Sequence, residues 1–179
     1  ICIIEEYIDG KSLRQYVHDE TDTRGYLSVH EICRIGIELC CILEYLHGYN
    51  GNGILHMDIK PDNIMLDKDG KVKLIDYDNA VEGNAGLTVE SGSPLYAAPE
   101  QYNREKAVIQ SDIYSLGMVI LFMVSHGHIV TDENHKLSEI SSRYSSLYHV
   151  INKSLHHEWG LRYSSVTYLK QELQSIMNW

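Results

Sequence analysis

Residues 54–63 read Ile-Leu-His-Met-Asp-Ile-Lys-Pro-Asp-Asn, and Asp76-Tyr77-Asp78 follows downstream. One short segment thus supplies a candidate proton acceptor, Asp58, a cation, Lys60, and a metal-binding amide, Asn63. Asp76 adds a hard carboxylate oxygen of the kind magnesium takes. Together these groups suit the transfer of a phosphoryl group from a magnesium nucleotide to a hydroxyl. They provide a base aimed at the incoming oxygen, a positive charge on the transferring group and ligands for the metal. Asp58 and Lys60 are close enough in sequence to point the same way. A salt-bridged surface loop would explain one Asp-Lys pair but not the whole spaced set.

The neighbouring elements must hold these groups. Asp58 and Asn63 lie in a loop that leaves a buried strand-like segment. Asn63-Ile64-Met65-Leu66 and Lys71-Val72-Lys73-Leu74-Ile75 flank Asp67-Lys68-Asp69-Gly70, which predicts a hairpin that returns Asp76 beside Asn63. Upstream, Ser28 and Glu31 have capping-box spacing. Ile32, Ile35, Leu39, Ile42, Leu43 and Leu46 then recur at helical period, predicting one long one-sided helix over 29–47. Residues 1–7 read as a short buried strand, Asp9-Gly10-Lys11 as its terminating turn, Ser12 as the cap of a brief helix through Val17, and 18–25 as loop. Residues 79–95 read as an extended functional loop, with helical period from Ser111 through Val124 and helices over 145–155 and 164–177. The three prolines, Pro61, Pro94 and Pro99, all fall in the two candidate active-site loops.

Composition narrows the class. A chain of 179 residues with 44% hydrophobic content is one domain with a real core. Net charge of −10 argues against a nucleic-acid surface. The run Leu116 to Val124 is too short to span a membrane, and no secretion signal opens the chain. Four cysteines, with Cys40 and Cys41 adjacent, do not form a disulfide framework and point to reduced thiols in a cytoplasmic setting. Asp67-Lys68-Asp69-Gly70 is a turn rather than a calcium loop, and His126, His128, His135, His156 and His157 read as surface histidines.

Several motifs in order resemble the eukaryotic-like (Hanks-type) Ser/Thr protein kinases, specifically their C-terminal lobe. His56-Met57-Asp58 with Lys60-Pro61 and Asn63 is similar to the catalytic loop, and Asp76-Tyr77-Asp78 sits where the family has Asp-Phe-Gly. Ala98-Pro99-Glu100 follows Gly92-Ser93-Pro94-Leu95-Tyr96, and Ser111-Asp112-Ile113-Tyr114-Ser115-Leu116-Gly117 resembles the central buried helix. Small-molecule phosphotransferases share the Asp-to-Asn spacing but lack these last two segments.

The resemblance implies a mainly α fold with a small β-hairpin, a protein-kinase C-lobe lacking most of the N-lobe. Residues 1–10 would be the last N-lobe strand and hinge remnant. Residues 11–179 would be the helical C-lobe, with catalytic loop 56–63 and activation segment 76–100. It implies ATP and Mg2+ as cofactors and protein substrates as partners. Asp58, Lys60 and Ser93 would be catalytic, Ser93 bridging the first two, and Asn63 and Asp76 would hold the metal. Backbone groups of Glu6 and Ile8 would meet the adenine edge above a floor made by Met65, with Glu5 guarding the back of the pocket. His56, Glu100, Asp112 and Arg162 would be structural, Asp112 holding the catalytic loop and Arg162 pairing with Glu100.

Three departures matter. Met57 replaces the Arg that receives a phosphorylated activation loop. Asp78 replaces the freest backbone unit of its motif, so a restricted flip of that loop is expected. No Gly-x-Gly-x-x-Gly-x-Val and no Val-Ala-Ile-Lys strand occurs, and the chain opens mid-pattern at Ile1-Cys2-Ile3-Ile4. A piece of a longer kinase is therefore expected, inactive alone and prone to self-associate through its exposed hinge and strand edges. The alternative is a pseudokinase or a lobe that binds protein partners as a scaffold. Replacing Thr88, Ser91 and Ser93 by Ala is predicted to leave the rate of a complete enzyme unchanged, apart from a geometric loss at Ser93. A kinase assay showing loss beyond about tenfold from Thr88 and Ser91 would contradict it.

Overall fold

The structure is a computed structural model that describes residues 6–83, 93–103, 106–128 and 142–178. The readings placed on residues 1–5, including Glu5, and on Thr88, Ser91, Gly92 and His135 lie outside the described residues.

Two capped helices open the fold. Ser12 caps α1, Leu13–Arg24, through a box in which Gln15 N–H donates to Ser12 Oγ and Ser12 N–H donates to Gln15 Oε1, each at 3.2 Å. Ser28 caps α2, Val29–His47, in the same way with Glu31, at 3.1 and 3.0 Å. Such caps contribute about 1 kcal/mol each. The capped start and the span of α2 agree with the sequence reading. The loop expected over 18–25 is instead the second half of α1. Only Leu13 and Val17 of this helix are buried, so its remaining turns carry no apolar stripe. They are held by the i,i+4 pair of Glu20 with Arg24 and by Lys11 with Asp19, and Gly25 in the left-handed region (φ 79) closes them.

The expected hairpin is present as β3, Ile64–Asp67, and β4, Val72–Leu74. Asp67 Oδ1 accepts from the backbone of Asp69 and Lys71, both at 2.9 Å, which accounts for that acidic cluster as a turn. The sheet has one more strand than the sequence suggested. Gly10–Ser12, read as part of a turn, forms β1 and pairs antiparallel with β3, giving the order β1-β3-β4. A second, two-stranded sheet joins β2, Ile54–Leu55, to β5, Val81–Glu82, inside the stretch read as loop. Two-residue strands leave no periodicity to detect.

The helices α3, Pro99–Tyr102, α4, Ile109–Val124, α5, Tyr148–Ser154, and α6, Val166–Met177, complete the fold. A 3-10 turn, Ser142–Leu147, leads into α5, where one helix was expected from 145. α4 is buried on nearly every side and forms the axis of the core, with α5 and α2 packed against it and α6 packed on α2. Cys33, Cys40 and Cys41 are free thiols, the first two buried. Among the described residues no helix is long and apolar enough to cross a membrane. The architecture is mostly helical with small sheets.

Gly117 lets α4 meet α5: a Cβ there would stand 2.6 Å from Ser154 Cβ. Because the clash is with an atom next to backbone, Gly117→Ala is predicted to destabilise by about 1–2 kcal/mol, overpacking outweighing the helix propensity gained. Denaturant unfolding checks this; an unchanged midpoint would mean the α4–α5 contact is loose.

Candidate active site

The segment between β2 and β3 turns sharply at Met57, whose φ of 64 is left-handed. Asp112 of α4 holds that turn. Its carboxylate accepts from His56 N–H at 3.0 Å and from Met57 N–H at 2.9 Å, and His47 Nε2 lies 2.8 Å from Oδ2. Asp112 is fully buried. Burial pushes its carboxyl up, but His47 and the two backbone donors outweigh burial and hold it below the ordinary aspartate range. His56 Nδ1 accepts from Asp58 N–H at 3.3 Å, so the ring proton is on Nε2, which faces Ile75 O at 3.2 Å. Burial holds the His56 imidazole below its usual value despite nearby carboxylates. Its ring lies 4.9 Å from that of Tyr77, tying the catalytic loop to the segment after β4.

Asp58 is the hub. Oδ1 accepts from Ser93 Oγ at 2.9 Å and Ser93 N at 3.0 Å; Oδ2 accepts from Lys60 Nζ at 2.8 Å and Asn63 Nδ2 at 3.1 Å. Lys60 Nζ also donates to Ser93 Oγ at 2.7 Å. Burial raises the Asp58 carboxyl, and Lys60 and Ser93 more than reverse this, so the group stays ionised. Lys60 is extended (φ −153), as a residue before proline must be, and Pro61 starts the 3-10 turn Pro61–Asn63 that delivers Asn63.

Asn63 Nδ2 donates to Asp58 O at 2.9 Å as well as to its carboxylate. The amide oxygen therefore points elsewhere, and it has no partner among the described residues. Ile75 N–H donates to Asn63 O at 2.9 Å, which brings Asp76 back beside this loop with a left-handed φ of 65. The Asp76 carboxylate makes no hydrogen bond or ion pair with the described residues. An unengaged amide oxygen and an unengaged carboxylate fit a magnesium that keeps waters and substrate phosphates as its other ligands. No group of three or more His, Cys, Asp or Glu gathers as a metal site among the described residues.

Met65 lies on the outward face of β3, registered with Lys73 and Ser12, and outside the core cluster. Glu6 is exposed and reaches Lys73 Nζ at 3.4 Å, and Ile8 is half-buried. These three residues therefore border the open side of the small sheet rather than the helical core.

Glu100 and Arg162 meet through two contacts of 2.7 and 2.8 Å, both side chains nearly sealed from solvent. Ser111 Oγ donates to the same carboxylate at 2.7 Å, and Arg162 also donates to the carbonyls of Gln110, His156 and His157. Burial raises the Glu100 carboxyl, and Arg162 overcomes it, leaving the group below its ordinary range.

The protein kinase domain family profile matches residues 1–179. The chain belongs to the protein kinase family. Its relatives place it among the Hanks-type Ser/Thr kinases. It is 31% identical to serine/threonine-protein kinase D of Synechocystis sp. over 98% of this chain and 36% of that protein. It is 36% identical to sperm motility kinase 3A of Mus musculus over 70% of this chain and 24% of that protein. It is 34% identical to the probable serine/threonine-protein kinase PknB of Lactococcus lactis over 73% of this chain and 20% of that protein. The chain thus spans between a fifth and about a third of these relatives' lengths.

Some residues that shape this candidate site were not singled out from sequence. Gln101 Nε2 donates to Met57 O at 3.0 Å while its Oε1 accepts from Ala98 N–H at 2.9 Å, so it joins the Ala-Pro-Glu segment to the catalytic loop. Its place two residues after Pro99, in the first turn of α3, was the available signal. Ser115 Oγ donates to Tyr96 O at 2.9 Å. His47, at the end of α2, and the pair Arg14–Asp62 left no local signal, because their partners are 65 and 48 residues away. Met57 is buried with Leu55 and Ala107, against Val81 and Ile109.

Carboxylates held below their unfolded values add stability that is fully present above about pH 4 and lost as pH falls through the folded values. Thermal melts are therefore predicted to fall steeply in acid as Glu100 and Asp112 take protons. Glu100→Gln should lose about 3 kcal/mol near neutrality, by leaving Arg162 buried and uncompensated, and show a shallower acid slope. A slope identical to wild type would assign the acid transition to other groups.

Proposed function

We propose that the protein carrying this chain transfers the γ-phosphoryl group of ATP to Ser or Thr hydroxyls of protein substrates with the help of magnesium. The observation that carries this reading is the convergence of Lys60, Ser93 and Asn63 on the ionised Asp58 carboxylate. In this mechanism Asp58 orients the substrate hydroxyl and accepts its proton. The Lys60 ammonium neutralises charge that builds on the transferring group, and Ser93 keeps base and cation in register. Asn63 and Asp76 hold the magnesium, whose chemistry is to neutralise the phosphates and fix their orientation. The backbone of Glu6 and Ile8 meets the adenine edge, and Met65, facing out of the core, is its apolar floor.

On this reading residues 1–10 are the end of a small lobe and its hinge, and 11–179 are the large helical lobe. The 179 residues contain neither a Gly-rich phosphate loop nor the Val-Ala-Ile-Lys strand, so alone they transfer phosphate slowly or not at all. Tyr7, 88% exposed at the hinge, supports self-association of the isolated chain. The free thiols support a cytoplasmic setting, and the charge of −10 supports protein rather than nucleic-acid partners.

Calorimetric titration of ATP, with and without magnesium, tests the site. Binding is expected to require magnesium and to be lost in Asp76→Ala. In the full-length protein, Asp58→Asn is expected to lower Ser/Thr peptide phosphorylation by about 10³-fold with ATP affinity retained. Failure of the full-length protein to bind ATP, or to phosphorylate any protein substrate, would favour a scaffold instead.

A further inference from the structure

A cleft of about 600 Å³ opens beside Lys60 and Ser93 and is walled by Arg14, Asp62, Leu95 and Tyr96. Lys60 and Ser93 both touch Asp58, so the cleft is continuous with the place where an acceptor hydroxyl would meet its base. Residues flanking the acceptor in a substrate peptide must lie here; this step rests on the function proposed above.

The charges on this wall are already spoken for. Arg14, from α1, donates to both oxygens of Asp62: Nε to Oδ1 and Nη2 to Oδ2, each at 2.7 Å. This is the planar two-point geometry that makes an arginine–carboxylate pair specific as well as strong. The side chains are 39% and 48% exposed, so the pair belongs to the cleft surface rather than to the core. Phe122 lies 5.2 Å beneath the guanidinium and steadies it. The other cation, Lys60, is engaged by Asp58 and Ser93. What remains on the wall carries no charge: Leu95, 42% exposed, Pro94, Gly127, the Asn63 amide and the edge of Tyr96.

We propose that Arg14 is a specificity-determining residue: by occupying both oxygens of Asp62 it denies that carboxylate to basic side chains, so the cleft takes a Ser/Thr peptide with uncharged residues beside the acceptor. An arginine on the peptide would have to displace a guanidinium already tethered in the same geometry, and it gains little by the exchange. A glutamate on the peptide faces the mirror problem, since Asp62 already holds Arg14. Each partner thus blocks the charge preference that the other would create, and removing one unmasks the other.

The test uses three fluorescently labelled peptides that share a central Ser and differ only in carrying Arg, Ala or Glu on either side of it. Each is titrated with the full-length protein, its Arg14→Gln variant and its Asp62→Asn variant, and anisotropy is read. Wild type is expected to bind the Ala peptide at least as well as the others. Arg14→Gln should shift the Arg-to-Ala affinity ratio about fivefold towards Arg, and Asp62→Asn should shift the Glu-to-Ala ratio about fivefold towards Glu. Both shifts should fade at high salt. The Asp62→Asn arm decides the matter alone if Arg14→Gln, which loses its stacking on Phe122, fails to fold. Ratios that stay put while the peptides bind, or a wild-type preference for the Arg peptide, overturn the specificity role and leave the proposed function standing. No binding of any peptide to any protein, with ATP still bound, overturns the protein-substrate reading and this inference together.

Discussion

The loop that carries the candidate active site depends on one buried carboxylate. Asp112 sits on the central helix, beyond the reach of water, and its charge is stabilised by two backbone N–H groups of the catalytic loop and by His47. A buried charge of this kind is tolerable only when its hydrogen bonds are complete, so the carboxylate enforces the loop geometry as much as the loop satisfies the carboxylate. The left-handed turn at Met57 is the conformational consequence. With that turn held, His56 faces the strand that leads to Asp76, and Asp58 meets Lys60, Asn63 and Ser93.

The segment carrying Ser93 is fastened to the same helix by separate bonds. Ser115 holds the carbonyl of Tyr96, Gln101 reaches back to the carbonyl of Met57, and the Glu100–Arg162 pair anchors the end of the segment with help from Ser111. The Asp58 carboxylate, the Lys60 ammonium and the Ser93 hydroxyl thus lie on segments anchored by partners on α4 and on the loop before α6. Little rearrangement of these groups is required when a substrate arrives, which is the condition under which fixed dipoles accelerate a reaction.

Sequence made much of this visible, and the reasons for the gaps are physical. α2 was readable because its cap and its apolar stripe are both local. The β3–β4 hairpin was readable because alternation and an Asp-Gly turn coincide. The C-terminal half of α1 was not, since its stability comes from surface ion pairs and a glycine cap rather than from a buried face. β1 and the β2–β5 pair were missed because strands of two or three residues owe their existence to partners distant in the chain. At the site, chemistry-bearing residues such as Asp58, Lys60, Asn63 and Asp76 advertise themselves by type and spacing. Positioning residues such as His47 and Gln101 are ordinary until the fold supplies their partners.

The burial of Met57 among Leu55, Ala107, Val81 and Ile109 has a thermodynamic consequence. The packing of the Met57 side chain on the β2–β5 sheet, Ala107 and Ile109, beside the backbone hydrogen bonds to Asp112, is apolar and so indifferent to ionic strength. Its strength instead follows the temperature dependence of hydrophobic burial and weakens towards the cold. Heat and solvent composition, rather than counterions, set the strength of that packing.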